Sequence, residues 1–122
     1  MEQQTALIIS RDPVAAALLG ALSELQRLGP VFYRDAEGAS ALSLLEEARP
    51  VVAVVDVAHD SGASPQFFRR AAALGARVVI FGNHETDELT RRCAAEYGLD
   101  AVVLPADVRA LTDILRAAGS SR

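Results

Sequence analysis

The stretch from Pro50 to Asp56 constrains the fold more than any other part of this 122-residue chain. Its five consecutive apolar residues, four of them β-branched, are followed by a carboxylate. This pattern predicts a strand buried on both faces, because a strand with one wet face would alternate apolar and polar side chains. Buried strands of this kind form parallel sheets, whose sites usually lie at the carboxyl ends of the strands. Asp56 is therefore a candidate site residue, and a cap on the following turn is its alternative role.

Strand and helix patterns alternate along the whole chain. Strands are predicted at residues 5–9, 31–33, 51–56, 77–81 and 101–104, and helices at 13–28, 39–48, 65–74, 87–97 and 108–118. Helix caps are expected at Asp12, Thr86 and Asp107, and glycines that end helices at Gly29, Gly75 and Gly98. Apolar strands alternating with helices predict an α/β fold: a three-layer, doubly wound, five-stranded parallel sheet, flavodoxin-like, with strand order 2-1-3-4-5.

Composition excludes several classes of function. The net charge is −4 and the arginines are scattered among acids, so we expect no direct contact with nucleic acid. No apolar run reaches the roughly 20 residues that span a bilayer, and no secretory leader precedes the first strand, so a cytoplasmic location without membrane contact is expected. The one cysteine, Cys93, lies in a helical pattern and is interpreted as a structural thiol. Residues 1–118 form one predicted domain, and 119–122 a tail or the start of a linker.

Three segments carry a resemblance to a known family. Pro50 to Asp56 has the order of the third strand of response-regulator receiver domains, in which the last residue is the phosphoacceptor aspartate. The loop and acidic helix start at residues 83–88 resemble the segment that follows the fourth strand of that family. Residues 96–105, which end at Pro105, resemble its closing segment. The chain therefore resembles receiver domains over nearly its whole length, and the resemblance implies a receiver-like sheet and Asp56 as the phosphoacceptor equivalent.

The resemblance also implies partners for Asp56 that this chain has changed. Two acids that help to hold Mg²⁺ after the first strand fall on Ser10 and Arg11, neither of which is an anionic ligand. Asp12 lies one position further on, where a helix cap is expected. The lysine that contacts the phosphoryl oxygens falls on Leu104, which cannot make that contact.

Two further receiver positions are changed in the same way. The hydroxyl residue that ends the fourth strand falls on Gly82, and the aromatic switch residue falls on Ala101. With the metal ligands, the cation, the hydroxyl and the aromatic ring all replaced, the chain resembles a degenerate pseudo-receiver. We therefore expect a non-catalytic module that is not an enzyme and has no cofactor or metal. The alternative is a working phosphoacceptor at Asp56 in two-component signal transduction, for which Mg²⁺ would be required.

Arg11 offers a specific hypothesis for a closed site. Its guanidinium could form an ion pair with Asp56 and take the place of the metal. An Arg11 side chain that points into solvent is the other interpretation, because exposed ion pairs contribute only about 0–1 kcal/mol.

Protein–protein contact is the expected mode of action. The resemblance implies a homodimer or a protein partner at the fourth helix, fifth strand and fifth helix, and an attached output domain is a further expected partner. The candidate members of this interaction face are Arg91, Arg92, Glu96, Tyr97 and Arg109.

A different class of function is a sensor of a small ligand or metal at the same edge of the sheet. His59 and His84 follow the third and fourth strands, so they could join Asp56 around zinc or a metabolite. Residues 82–85 are also similar to the Gly-Asn-His-Glu/Asp element of calcineurin-like metallophosphoesterases. The other motifs of that family are missing, so this function is not expected.

Overall fold

A computed structural model describes residues 3–33, 40–59 and 62–120 of the chain. The strands are β1 (Thr5–Ile9), β2 (Gly29–Phe32), β3 (Val52–Asp56), β4 (Arg77–Gly82) and β5 (Asp100–Val103). The helices are α1 (Pro13–Leu25), α2 (Ala41–Ala48), α3 (Pro65–Ala73), α4 (Asp87–Tyr97) and α5 (Val108–Ser120), and a single 3₁₀ turn (His84–Thr86) precedes α4.

The five strands form one parallel sheet in the order β2-β1-β3-β4-β5, which confirms the predicted fold. The central strands are apolar on both faces because helices cover both. Alternate residues divide between two cores: Ile8 and Val54 pack with α1 and α5, whereas Leu7 and Val55 pack with α2 and α3. Within the described ranges, no helix is long and apolar enough to cross a membrane.

The ends of several helices differ from the sequence prediction. Helix α1 ends at Leu25, and Gly29 belongs to β2, where it pairs with Thr5. The turn is made by Arg27, whose φ of 61° is left-handed, and the next residue, Leu28, is buried in the core. Burial of Leu28 draws the chain towards the sheet before Gly29 is reached, so this glycine does not end the helix.

Two predicted caps also have other roles. Thr86 occupies the N-cap position of α4, as predicted, but its side chain makes no capping hydrogen bond there. Asn83 caps the preceding 3₁₀ turn: its Oδ1 accepts the N–H groups of Glu85 and Thr86 at 2.9 and 3.1 Å. The Asp107 carboxylate accepts the N–H of Val103 at 2.8 Å and so fastens the loop that precedes α5 to the end of β5.

Helix α5 continues further than the sequence suggested. Gly119 and Ser120, expected to begin a tail or linker, form its last turn. Ser121 and Arg122, the rest of that expected segment, lie outside the described residues.

Candidate functional site

Parallel strands bring the candidate site residues to one edge of the sheet. The register pairs Ile9 with Val55 and Asp56 with Phe81, so Ser10, Asp56 and Gly82 follow one another across the carboxyl edge. Asp56 is half-buried there. This arrangement follows from the topology alone, because every strand of a parallel sheet ends at the same side.

Two neutral donors among the described residues hold the Asp56 carboxylate. The Ser10 hydroxyl donates to Oδ2 at 3.0 Å, and the N–H of Ala58 donates to Oδ1 at 3.0 Å. Ser10 Oγ in turn accepts the N–H of Asp12 at 3.1 Å. Ser10 therefore connects the start of α1 to Asp56 by a continuous chain of hydrogen bonds.

Asp12 caps α1, as predicted. Its Oδ1 accepts the N–H of Val14 at 2.9 Å, and Pro13 occupies the first helical position. One carboxylate oxygen of Asp12 is therefore engaged by the helix.

Arg11 lies at the exposed start of α1, on a separate cavity beside Phe32 and Tyr33. Among the residues that the structure describes, no ion pair joins Arg11 to Asp56.

The donors present do not fit a magnesium site. Mg²⁺ prefers carboxylate and other oxygen ligands in octahedral geometry. The two positions that would supply acids hold a hydroxyl and a guanidinium, and the neighbouring Asp12 is engaged as a cap. Among the described residues, no group of three or more His, Cys, Asp or Glu side chains is placed to hold a metal ion.

Leu104 forms part of the apolar wall of the site and offers no charged group for contact. It is 8% exposed and packs in the core with α5, and it precedes Pro105 through a cis peptide bond. Its N–H donates to the carbonyl oxygen of Gly82 at 2.8 Å, so the end of β5 is fastened beside β4. Ala101 lies earlier in β5, half-buried opposite Ile80.

Two threonine hydroxyls fill the space above Gly82. A Cβ at this position would overlap Thr86 Oγ1 and Thr90 Oγ1. Thr86 Oγ1 accepts the N–H of Asn83 at 3.0 Å, and Thr90 Oγ1 donates to the carbonyl oxygen of Thr86 at 2.7 Å. A hydroxyl therefore stands beside the end of β4 although the strand ends in glycine. The sequence did not suggest this role, but a signal exists: Gly82, Thr86 and Thr90 are spaced four residues apart.

The two histidines do not join Asp56. His59 is 2% exposed: its Nδ1 accepts the N–H of Gly62 at 3.3 Å, and its ring meets Tyr33 edge-on with centroids 5.2 Å apart. His84 is exposed on the 3₁₀ turn. His59 follows the end of β3 at the carboxyl edge, as expected, and its N–H donates to the carbonyl oxygen of Asp56 at 2.9 Å, but its ring is buried against Tyr33.

The residues proposed for an interaction face are mostly exposed. Arg91 pairs with Asp87 and Arg92 with Glu88 along α4 at 2.5 and 3.0 Å, and Arg109 is exposed on α5. Glu96 is also exposed.

Tyr97 is tilted against Phe68 of α3, with ring centroids 5.0 Å apart. Partial desolvation, followed by the negative charge of Glu96, raises the pKa of Tyr97. The same two causes raise the pKa of Cys93, so this half-buried thiol stays protonated at neutral pH.

A cavity of about 410 Å³ opens at this edge, directly beside Asp56. It lies between the start of α1, the ends of β3 and β4, and the Leu104–Pro105 segment. Its lining is mostly apolar, with Asp12, Asp56, Asn83 and Thr86 as the polar side chains.

Comparisons with known proteins agree with this fold. No protein-family model matches the chain, and no curated protein matches it in sequence. Solved structures do match: a response regulator from Thermotoga maritima is 14% identical with a TM-score of 0.72, and the match covers 98% of this chain and 99% of that one.

Two further structures are receiver domains by description. The signal receiver domain of an HD domain-containing protein from Pseudomonas fluorescens Pf-5 is 18% identical with a TM-score of 0.75, over 99% of this chain and 90% of that one. The N-terminal receiver domain of a two-component response regulator from Bacteroides fragilis is 20% identical with a TM-score of 0.68, over 98% of each chain. The chain therefore has the fold of response-regulator receiver domains.

Proposed function

We propose that this chain is a non-catalytic, receiver-like regulatory module that acts by protein–protein contact and without phosphorylation of Asp56. The observation that carries the proposal is the pair of hydrogen bonds from Ser10 and Ala58 to the Asp56 carboxylate. Transfer of a phosphoryl group to a carboxylate brings negative charges together and needs a metal or another cation to neutralise them. Among the residues that the structure describes, the side chain that donates to Asp56 is the neutral hydroxyl of Ser10.

The apolar wall at Leu104 supports the same proposal. A lysine at this position could donate to a phosphoryl oxygen, whereas a leucine offers neither charge nor donor. The Leu104 side chain packs in the core beside α5. It has no hydrogen-bond donor in any rotamer, so it cannot supply the missing contact to a phosphoryl oxygen.

A test should measure phosphorylation directly. Incubation of the protein with acetyl phosphate and Mg²⁺ is expected to give no gain of one phosphoryl group by intact-mass spectrometry. The triple variant S10D/R11D/L104K serves as the matched control, because it introduces the two acids and the lysine that receiver domains carry at these positions. Phosphorylation of the unaltered chain that disappears in Asp56→Asn would refute the proposal.

The partner is proposed to be a second copy of this chain or another protein, including an attached output domain. Two of the structural neighbours are domains of larger proteins by their descriptions, one of them with an HD domain. The exposed charges on α4 and α5 at Arg91, Arg92 and Arg109 are available for such contact. A cytoplasmic location accords with this role.

One observation favours the second candidate, a phosphoacceptor at Asp56 with Mg²⁺. Thr86 brings a hydroxyl to the end of β4, where receiver domains carry one on the strand itself. Hydroxyl donation alone does not neutralise the charge of the transferred group, so we rank this candidate second. The phosphorylation test above separates the two.

A further inference from the structure

The outward face of helix α1 is apolar along nearly its whole length. Only one of its exposed residues is charged, and these residues are Pro13, Val14, Ala17, Ala21, Glu24 and Leu25. A helix on the surface of a folded domain normally carries polar or charged side chains on its outer face. Val14 and Leu25 are 77% and 74% exposed, more than any other large apolar side chain among the described residues. A contiguous exposed apolar face of this kind is typical of a contact surface.

Four of these residues form a stripe with a shape suited to another helix. Val14, Ala17, Ala21 and Leu25, here called the α1 stripe, recur at intervals of three and four and so lie on one side of the helix. Two helices that cross are closest at the crossing point and diverge on either side of it. The alanines at the centre of the stripe permit the close approach, and Val14 and Leu25 fill the wider space at its ends.

Charges at the two ends of α1 favour a second copy of this chain as the partner. Asp12 is exposed at the start of the helix, and Arg27 is exposed just beyond its end. When two copies meet about a two-fold axis with antiparallel α1 helices, Asp12 of one copy lies at the end that carries Arg27 of the other. Parallel helices would instead place each charge beside its own equivalent, and like charges repel. The α1 stripe itself is uncharged, so the centre of such a contact brings no like charges together.

We propose that two copies of this chain associate through the α1 stripe, with the helices antiparallel and Val14 of one copy against Leu25 of the other. The register that places Val14 opposite Leu25 also places Asp12 opposite Arg27. This inference deepens the proposed function and rests on it for the mode of action, which is protein–protein contact. It assigns that contact to α1, whereas the sequence suggested α4 and α5.

The first test is sedimentation velocity of the full chain over a concentration series. One pair of 13-residue helices is a small interface, so the series runs from about 5 to about 500 µM around an expected dissociation constant on the order of 50 µM. A monomer at low concentration and a dimer at high concentration are expected.

Matched variants locate the interface. Ala21→Glu introduces a charge at the centre of the α1 stripe, and the two-fold axis brings two such charges close together, so dimerisation is expected to weaken about tenfold or more. Ala95→Glu makes the same change at an exposed alanine of α4 and is expected to dimerise like the unaltered chain. Glutamate is a good helix former, so both variants should fold. Ala17→Glu repeats the test one turn earlier, which keeps the comparison decisive should Ala21→Glu fail to fold.

Cross-linking tests the orientation of the two helices. Val14→Cys and Leu25→Cys are prepared separately in a Cys93→Ala background, then mixed and treated with a short bismaleimide. Antiparallel helices are expected to give mainly the mixed product that joins one variant to the other. Intact-mass spectrometry distinguishes this product from the two self-joined ones, because the variants differ in mass.

A monomer at every concentration would overturn the inference, and a different protein would then be the partner that covers α1. A dimer weakened by Ala95→Glu but not by Ala21→Glu would also overturn it, as would cross-linking of Val14→Cys mainly to itself. The phosphorylation test decides the proposed function separately. An unphosphorylated monomer would defeat this inference alone, whereas a dimer phosphorylated at Asp56 would refute the proposed phosphorylation-independent function and leave the dimer in place.

Discussion

The Ser10 hydroxyl supplies a neutral hydrogen-bond donor to the Asp56 carboxylate. The resemblance to receiver domains assigns an acidic metal ligand to the position of Ser10, and here the Ser10 hydroxyl donates a hydrogen bond to Asp56. A second carboxylate at this position would repel Asp56 when no cation is bound, whereas the serine satisfies one of its oxygens. We therefore expect this arrangement of Ser10 and Asp56 to be stable without metal or phosphate.

Removal of the Ser10 hydroxyl should reveal the contribution of its hydrogen bond with Asp56 to stability. We expect Ser10→Ala to lower the free energy of unfolding by about 1 kcal/mol, because Asp56 Oδ2 loses its side-chain donor. The measurement is urea denaturation of Ser10→Ala, Asp56→Asn and the double variant as a cycle. A coupling energy near zero would contradict the hydrogen bond.

Gly82 is required by its neighbours, since a Cβ there would overlap the Thr86 and Thr90 hydroxyls. Gly82→Ala should therefore lower the free energy of unfolding by about 1–3 kcal/mol, by overpacking. The cost should shrink in a background that carries Thr86→Ala and Thr90→Ala. Gly119→Ala is the matched control, because the nearest atom to its added Cβ is 3.5 Å away. An equal cost in both backgrounds would refute the steric explanation.

Single residues were predictable where a strand or a helix cap fixes their position, as at Asp56 and Asp12. Asp56 could be assigned to the sheet edge because it ends an apolar run whose strand is buried on both faces. The Ser10 contact could not, because a side-chain hydrogen bond depends on the loop path and the rotamer. His59 shows the same limit: the sequence identifies a loop histidine, but burial against Tyr33 depends on how that loop folds back.

At the scale of elements, the turn before α4 depends on Asn83. Its side-chain oxygen accepts two backbone N–H groups, and the Thr86 hydroxyl oxygen accepts the N–H of Asn83. Asn83→Ala should lower the free energy of unfolding by about 1 kcal/mol, as the loss of a helix cap does. Asn83→Asp keeps the acceptor and is expected to be nearly neutral in thermal or urea denaturation. A neutral Asn83→Ala would show that the cap contributes nothing.

Helix starts were more predictable than helix ends. Asp12 with Pro13 marks the start of α1 through local chemistry, which the sequence displays directly. Helix α1 ends at Leu25 because Leu28 is buried in the core, which depends on tertiary packing. Gly29 consequently belongs to β2. Gly98 does end α4 in a left-handed conformation, as predicted, so a glycine at the end of a helical pattern fails as a signal only where burial of a neighbouring side chain overrides it.

The arrangement of the whole molecule follows from the apolar strands. Strands buried on both faces require helices on both, and alternation with helices requires parallel pairing, so the order β2-β1-β3-β4-β5 could be predicted. The same topology brings Ser10, Asp56 and Gly82 to one edge. The cavity at that edge could not be predicted, because its walls combine α1, β4 and the Leu104–Pro105 segment, which are far apart in sequence.

We propose that Asp56 does not operate as a metal-dependent phosphoacceptor. The most direct test of this proposal is NMR titration of the ¹⁵N-labelled chain with Mg²⁺ and then with Mg²⁺ plus beryllofluoride, which mimics the phosphoryl group. We predict no saturable shift at the amides of Asp56, Gly82 and Leu104. Saturable shifts centred on Asp56 would contradict the account and identify a working phosphorylation switch.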